Sequence, residues 1–361
     1  KALAPDKLRP RILLADAVGL GKTLEIGMIL SELVRRGRGE RILVVTPRHV
    51  LEQMQFELWT RFALPFVRLD SVGIQRIRQK LPASRNPFAY YKRVIVSIDT
   101  LKSDRYLAHL EKQHWDAVVI DESHNVTNST AQNNRLARLL ARRCDALILA
   151  SATPHNGRKE SFAELIRMLE PSAVTPDGEL VEDMVKDLII RRHRHSPEVA
   201  AVVGAEWAER LAPNNVLVPA LPAENAIADE LGSVWLHPEA GKSPYSGANS
   251  SLFPWTLAKA FLSSPEALSE TIKTRIRTLG IRTDENRAEL DALARLQELT
   301  DEAIEQPSAK YDALVKHLKE IGVGRNKPMR AVIFAERVKT LHTLKEKLQE
   351  SLKLPPDAVE V

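Results

Sequence analysis

The stretch Arg11–Thr23, RILLADAVGLGKT, decides the fold. Arg11–Ala15 is a short apolar run of the kind that forms a strand buried on both faces. After Thr23, Ile26, Ile29, Leu30, Leu33 and Val34 fall on one helical stripe. Between strand and helix lies a turn with glycine at 19 and 21. A turn that wraps its backbone N–H groups around a phosphate needs small residues, because the oxygens approach closely. Lys22 can reach the β- and γ-phosphates of a bound nucleotide, and the Thr23 hydroxyl can ligate Mg²⁺. The helix that follows points its positive dipole end at the anion. Asp16, Val18, Gly19, Leu20, Gly21, Lys22 and Thr23 are therefore the candidate nucleotide-binding residues. Asp16 stands where the common phosphate-loop pattern has its first glycine.

The same strand–turn–helix pattern recurs. Arg41–Thr46, Arg93–Ser97, Ala117–Asp121 and Ala146–Ser151 read as further buried strands. Helical patterns separate them, one carrying Leu136, Leu139 and Leu140 beside Arg135, Arg138, Arg142 and Arg143. Strands alternating with helices predict a doubly wound α/β domain with a parallel sheet. The pattern changes near Pro171. Residues 216–305 read as helix and loop, with amphipathic helices over Leu257–Leu279 and Asn286–Ile304 and a Pro-, Gly- and Ser-rich loop over His237–Ser251. A strand pattern returns at Arg330–Ala335.

Two more stretches carry chemistry, each directly after a strand. Val118–His124 ends an apolar run in Asp121 and Glu122. Asp121 can hold Mg²⁺, and Glu122 can orient and polarise an attacking water. Ser151-Ala152-Thr153-Pro154 offers hydroxyls able to reach Asp121, Glu122 or His124. An exposed acidic turn and an ordinary Ser/Thr turn are the plain alternatives for these two.

Composition sets bounds. The 361 residues are too many for one ordinary core and imply two or three domains. No apolar run approaches the roughly 20 residues of a membrane helix. The N-terminal residues, interrupted by Lys1, Asp6, Lys7 and Arg9, do not read as a signal peptide. Cys144 is the sole cysteine, which excludes an intrachain disulfide and suits a reducing cytoplasm. The net charge of +5 is also common in proteins that never touch nucleic acid, so it does not by itself assign a polyanionic partner. Arg191–His195, RRHRH, fits either a phosphate contact or a solvated face, and Trp235, Phe253, Trp255 and Phe261 read as core or interface.

The set Asp16–Thr23, Asp121–His124 and Ser151–Pro154 resembles motifs I, II and III of superfamily 2 helicases. The GLGKT loop preceded by Asp16 resembles the Swi/Snf-type ATPases, bacterial ones of the RapA kind above all. Thr46-Pro47-Arg48 resembles motif Ia, Ser97–Leu101 motif Ib, and Arg330–Leu341 motif IV. Arg191-Arg192 sits where the family has paired arginines after the first motor lobe. The resemblance implies RecA-like lobes of the P-loop NTPase kind with ATP and Mg²⁺ in a cleft and double-stranded DNA gripped by its backbone. It implies catalytic roles for Lys22, Asp121 and Glu122, with Mg²⁺ on Thr23 and Asp121. It implies coupling roles for His124, Ser151 and Thr153, and nucleic-acid contacts by Thr46, Arg48, Thr100 and Lys102. Residues 1–215 would form the first lobe, 216–305 a mainly helical protrusion, and 306–361 the start of a second lobe.

Some features depart from that family. Ala17 replaces an acidic residue, and no adenine-reading glutamine motif is found in the first ten residues. Motifs V and VI, which carry arginine fingers worth about 10³–10⁵ in turnover in related phosphoryl transfer, are absent from this stretch. As written, these residues are expected to bind ATP and to hydrolyse it poorly. Three functions are then expected to compete: a duplex-DNA translocase, a nucleotide-gated scaffold subunit, and a strand-separating DNA or RNA helicase. The divergent middle and Phe334–Leu341 also resemble Swi/Snf-type ATPases of phage-defence systems such as DISARM, with transcription recycling as the alternative setting and other subunits of such a complex as partners.

Overall fold

A computed structural model describes residues 1–4, 9–82, 85–128, 130–154, 157–203, 211–238, 241–247 and 252–361. The chain divides into two compact units, residues 1–210 and 211–361.

The first unit is an α/β domain built on seven parallel strands: β1 (Arg11–Leu14), β2 (Ile42–Thr46), β3 (Val67–Leu69), β4 (Arg93–Ser97), β5 (Trp115–Ile120), β6 (Cys144–Ala150) and β7 (Ile189–Ile190). Their order across the sheet is β3-β4-β2-β5-β6-β1-β7. Nine helices of this unit are described: α1 (Lys22–Arg35), α2 (Leu51–Phe62), α3 (Ser71–Lys80), α4 (Ile98–Leu101), α5 (Asp104–Glu111), α6 (Gln132–Arg142), α7 (Lys159–Leu169), α8 (Glu182–Leu188) and α9 (Pro197–Val203).

The strands are apolar throughout because both faces of the sheet are covered. Ile12, Leu14, Ile42, Val44, Ile95, Val119 and Ile148 pack with Ile26, Leu30 and Leu33 of α1 and Met54 and Leu58 of α2. The intervening residues Leu13, Leu43, Val45, Val94, Val96, Val118, Leu147 and Leu149 pack with Ile74, Leu107, Leu136 and Leu165 on the other face. This period-2 division between two cores is what a doubly wound sheet requires. The five strands expected in this unit all form, within two residues of the expected ends. β3 and β7 were not foreseen as strands. They are three and two residues long and lie at the two edges of the sheet. Runs this short carry almost no periodicity.

Residues 211–361 contain α10 (Pro222–Glu230), which runs into a π-helical turn at Leu231–Leu236, then α11 (Leu252–Ser263), α12 (Pro265–Leu279), α13 (Arg287–Glu305), α14 (Ala309–Glu320) and α15 (Val338–Ser351). The helix expected over Leu257–Leu279 is two helices. Ser264 caps α12, its hydroxyl accepting from the Ala267 N–H at 3.2 Å, and Pro265 opens the new helix at a position that lacks an intrahelical partner anyway. Ile227, Trp235, Leu257, Leu268, Ile272, Leu293 and Leu296 form the core. Inside it, Glu289 is fully buried and accepts the Arg275 guanidinium fork, at 2.7 Å from Nε and 3.1 Å from Nη2. The guanidinium also lies over Tyr245 and Phe253. Trp235 is buried as expected of a core aromatic, whereas Trp255 is exposed.

Arg330–Ala335, expected as a strand, is irregular, and Val332 and Phe334 are 79% and 91% exposed. A strand needs a neighbour for its N–H and C=O groups, and among the described residues none pairs with it. His237–Ser251 lies partly outside the described residues; within 241–247, Tyr245 stacks on Phe253 of α11 at 5.1 Å between centroids.

Candidate functional site

Because all seven strands are parallel, their carboxyl ends share one edge, and the candidate site residues of the first unit lie at strand ends, in the loops that leave that edge, or in or just after the helices that follow. Open α/β sheets bind ligands at that edge. The loop after β1 turns at Gly19 (φ 86°) and Gly21 (φ 87°). Both lie in the left-handed region, which costs a residue with a Cβ roughly 1–2 kcal/mol. An added Cβ would meet nothing within 4 Å at Gly19, so conformation rather than space requires that glycine. Gly21 is the N-cap of α1, and no side chain caps that helix. Its first N–H groups therefore face the loop as donors for an anion.

Lys22 folds back over this loop. Its Nζ donates to the Asp16 carbonyl at 2.9 Å and reaches the Ala17 carbonyl at 3.5 Å. Thr23 is half-buried beside it, Leu20 likewise, and Val18 is exposed. Asp16 points the other way. It is 0% exposed, and its carboxylate accepts from the Arg192 backbone N–H at 2.8 Å, Nε at 2.9 Å and Nη2 at 2.5 Å. Arg192 also forms an ion pair with Glu25 on the first turn of α1. Neither Arg192 nor Glu25 is legible from the sequence as a partner of the loop. The Arg191-Arg192 doublet was the only signal, and it is 176 residues from Asp16.

Asp121 follows β5, whose neighbours in the sheet are β2 and β6. Its Oδ1 accepts the Glu122 N–H at 3.0 Å, and its Oδ2 accepts the Thr46 hydroxyl at 3.2 Å. Burial raises its pKa above the ordinary carboxylate value and Glu122 adds to this, against the hydrogen bonds and the Lys22 charge that lower it. A divalent cation would supply the compensating charge. Carboxylate and hydroxyl oxygens of the Asp121 and Thr23 kind are the donors Mg²⁺ prefers, so the residues present fit that ion. Among the described residues, no cluster of three His, Cys, Asp or Glu side chains forms a separate metal site.

Glu122 adopts φ 49°, ψ 48°. A left-handed backbone on a residue that is neither Gly, Asn nor Asp is uncommon and concentrates at functional sites. Its Oε2 lies 3.1 Å from His124 Nδ1, which is also 3.1 Å from Ser151 Oγ. A single ring nitrogen serves these two contacts in alternative ways. Protonated, it donates to the carboxylate; unprotonated, it accepts the serine hydroxyl. Ser151 is fully buried at the end of β6 and also accepts the Thr153 N–H at 3.2 Å. The Thr153 side chain is exposed.

The four residues expected on nucleic acid divide. Arg48 is exposed, just beyond the carboxyl end of β2. Thr100 is half-buried and shares a 2.9 Å hydrogen bond with Ser97, and Lys102 pairs with Asp99 at 2.7 Å. Thr46 is 0% exposed and its hydroxyl is directed at Asp121. It is the last residue of a strand buried along its whole length.

The family model described as SNF2-related domain matches residues 8–179. The chain is 39% identical over 168 residues to the RNA polymerase-associated protein RapA of Sodalis glossinidius, covering 45% of this chain and 17% of that protein. It is 38% identical over 179 residues to the protein of the same name from Photobacterium profundum, covering 48% and 18%. The chain thus spans less than a fifth of the length of these relatives. Among solved structures, the Sulfolobus solfataricus SWI2/SNF2 ATPase core in complex with dsDNA aligns over 98% of this chain and 73% of its own, at 17% identity and a TM-score of 0.45. The Pyrococcus furiosus Hef helicase domain aligns over 87% and 70%, at 18% identity and a TM-score of 0.43.

Proposed function

We propose that this chain, whose residues 8–179 match the SNF2-related domain model, binds ATP with Mg²⁺ at the Asp16–Thr23 loop and uses its hydrolysis to move along double-stranded DNA. The observation that carries the reading is the meeting of three loops at the carboxyl ends of β1, β5 and β6. They bring together a glycine turn with its lysine, a half-buried carboxylate beside a second one, and a histidine–serine contact.

On this reading Lys22 exchanges its two loop carbonyls for phosphate oxygens. Its amine already rests on the carbonyls of Asp16 and Ala17, within the same loop. Thr23 and Asp121 hold Mg²⁺, which when bound neutralises charge developing on the phosphates. Glu122 accepts the proton of the attacking water. His124 then reports the change in that carboxylate to Ser151 and, through Ser151, to the Thr153 backbone. Arg48, Thr100 and Lys102 contact the DNA backbone without reading bases. Residues 1–215 act as the first motor lobe, 216–305 as a helical protrusion and 306–361 as the opening of a second lobe. No helix among the described residues is long and apolar enough to cross a membrane, and the proposed setting is the cytoplasm. The relatives' association with RNA polymerase favours a transcription-linked role over phage defence.

The test is phosphate release by the full-length protein with and without duplex DNA, beside Lys22→Ala. Duplex should raise turnover at least tenfold, with a steep salt dependence from backbone contacts, and Lys22→Ala should abolish it. Equal release with and without duplex sinks the translocase. Tight ATP binding without turnover would point to a nucleotide-gated scaffold, and displacement of a forked strand to a helicase.

A further inference from the structure

The Arg191-Arg192 doublet splits between solvent and interior. Arg191 is exposed, and Arg192 turns inward onto Asp16. The backbone follows the same path. β7 pairs with β1 through Leu13–Ile189 and Leu14–Ile190, and the pairing continues past both strands: the Ala15 N–H donates to the Ile190 carbonyl at 2.7 Å, and the Ala17 N–H to the Arg192 carbonyl at 2.9 Å. The chain leaving the sheet is thus zipped to the first half of the glycine loop. The Arg192 guanidinium closes the arrangement. It holds Asp16, before the two glycines, and Glu25, after them on the first turn of α1. Glu25 keeps a second carboxylate oxygen buried with no partner, so this guanidinium is its principal compensation. Asp16 in turn offers its carbonyl to Lys22. One side chain therefore fixes both ends of the loop, and through Asp16 the resting place of the lysine amine.

We infer that Arg192 is a positioning residue for the phosphate loop, clamping Asp16 to Glu25 so that the Gly19–Gly21 turn is held open for a nucleoside triphosphate. The inference rests on the nucleotide reading above for its ligand, but not for its geometry. The clamp depends on the planar fork: Nε and Nη2 both reach Asp16 while Nη2 also meets Glu25. A lysine ammonium offers the charge without that fork. The clamp also makes the loop and the segment after β7 one mechanical unit, so that loosening either loosens the other.

The experiment compares wild type, Arg192→Ala, Arg192→Lys and Asp16→Asn in the full-length protein. Three quantities are read: melting temperature, the ATP concentration at half-maximal turnover beside kcat, and backbone hydrogen exchange of a peptide spanning residues 15–25 without nucleotide. Arg192→Ala is expected to raise the half-saturating ATP concentration at least tenfold and to speed exchange of the loop peptide at least tenfold. Arg192→Lys is expected to recover most of the melting temperature and little of either loop property. Asp16→Asn is expected to fall between Arg192→Lys and wild type. A lowered melting temperature with half-saturation and loop exchange both at wild-type values would overturn the proposal, because that is the signature of a merely structural ion pair. Should Arg192→Ala fail to fold, Arg192→Lys carries the same decision. Should wild type show no ATP turnover, the nucleotide reading fails, and the exchange of the loop peptide alone still decides whether Arg192 holds the loop.

Discussion

Replacing Thr46 with valine removes one hydroxyl, keeps the side-chain shape, and separates two accounts of that residue. As a nucleic-acid contact, its loss would weaken DNA binding alone. The structure instead directs the hydroxyl at Asp121 Oδ2, 3.2 Å away, from a site with no solvent exposure. A hydrogen bond to a charged group contributes about 1.5–3 kcal/mol net. The length of this one, and the Glu122 N–H that still serves Asp121, place the loss at the lower end. About 1.4 kcal/mol is tenfold, so the variant should need about ten times more Mg²⁺ for half-maximal ATP turnover. The pH dependence follows with a definite sign. Burial already raises the Asp121 pKa, and the Thr46 hydrogen bond opposes that rise. Asp121 must be ionised to hold the metal, so activity is present above its pKa and is lost as pH falls through it. Without the hydroxyl, the acid limb of the rate profile moves to higher pH. The assay is a Mg²⁺ titration of ATP turnover at several pH values, with duplex-DNA affinity measured alongside. Unchanged Mg²⁺ dependence with weakened DNA binding would refute the reasoning and return Thr46 to the nucleic acid.

Glu289→Ala should cost about 3 kcal/mol or more in the unfolding of residues 211–361, because Arg275 would keep a desolvated charge without its carboxylate; urea titration followed by Trp235 fluorescence measures it, and a loss below about 1 kcal/mol would contradict the burial argument. For Glu164 and Glu289, burial alone would raise the pKa, but hydrogen bonds from Arg138 and Asn134 to the first and from Arg275 and Ser246 to the second, together with the arginine charges, outweigh it and leave both below the ordinary 4.5. The stability they provide is present above that value and is lost as pH falls through their lowered ones, so Glu289→Gln should show a shallower acid loss of urea midpoint than wild type. Cys144 is buried and its thiol is pushed up to about 12 by desolvation, so iodoacetamide at pH 8 should label it only as fast as the first unit unfolds. Labelling at the rate of an exposed thiol would contradict its placement in the core.

The fold was legible where one pattern ran long enough to be unambiguous. The five central strands are apolar on both faces, and that pattern survives in a bare sequence because both layers of helices demand it. The two edge strands were not legible, since Val67–Leu69 and Ile189–Ile190 are defined by the neighbours they pair with. The opposite error occurred at Arg330–Ala335, where a strand-like pattern has no neighbour among the described residues. The loop Asp16–Thr23 could be found because glycine, lysine and threonine are needed at adjacent positions. The Asp16–Arg192–Glu25 cluster could not, because the arginine is 176 residues from Asp16 in the chain and reaches it only once β7 has paired beside β1. Thr46 could be placed at the end of β2 from the sequence, but no spacing rule encodes the direction of its hydroxyl, which the structure turns to Asp121.

The strand order has a consequence for how this domain is made on the ribosome. Among the described strands β1 pairs with β6 and β7, so its first partner, beginning at Cys144, is synthesised roughly 130 residues after Leu14. At about 5–20 residues per second, the nascent RILL segment waits on the order of ten seconds beside a sheet that is forming without it. The glycine loop cannot take shape in that interval, because both of its anchors come later than everything else in the sheet. With β1 lying between β6 and β7, the glycine loop is expected to be among the last parts of the domain to be completed, and its late pairing is the interval most exposed to aggregation or chaperone capture.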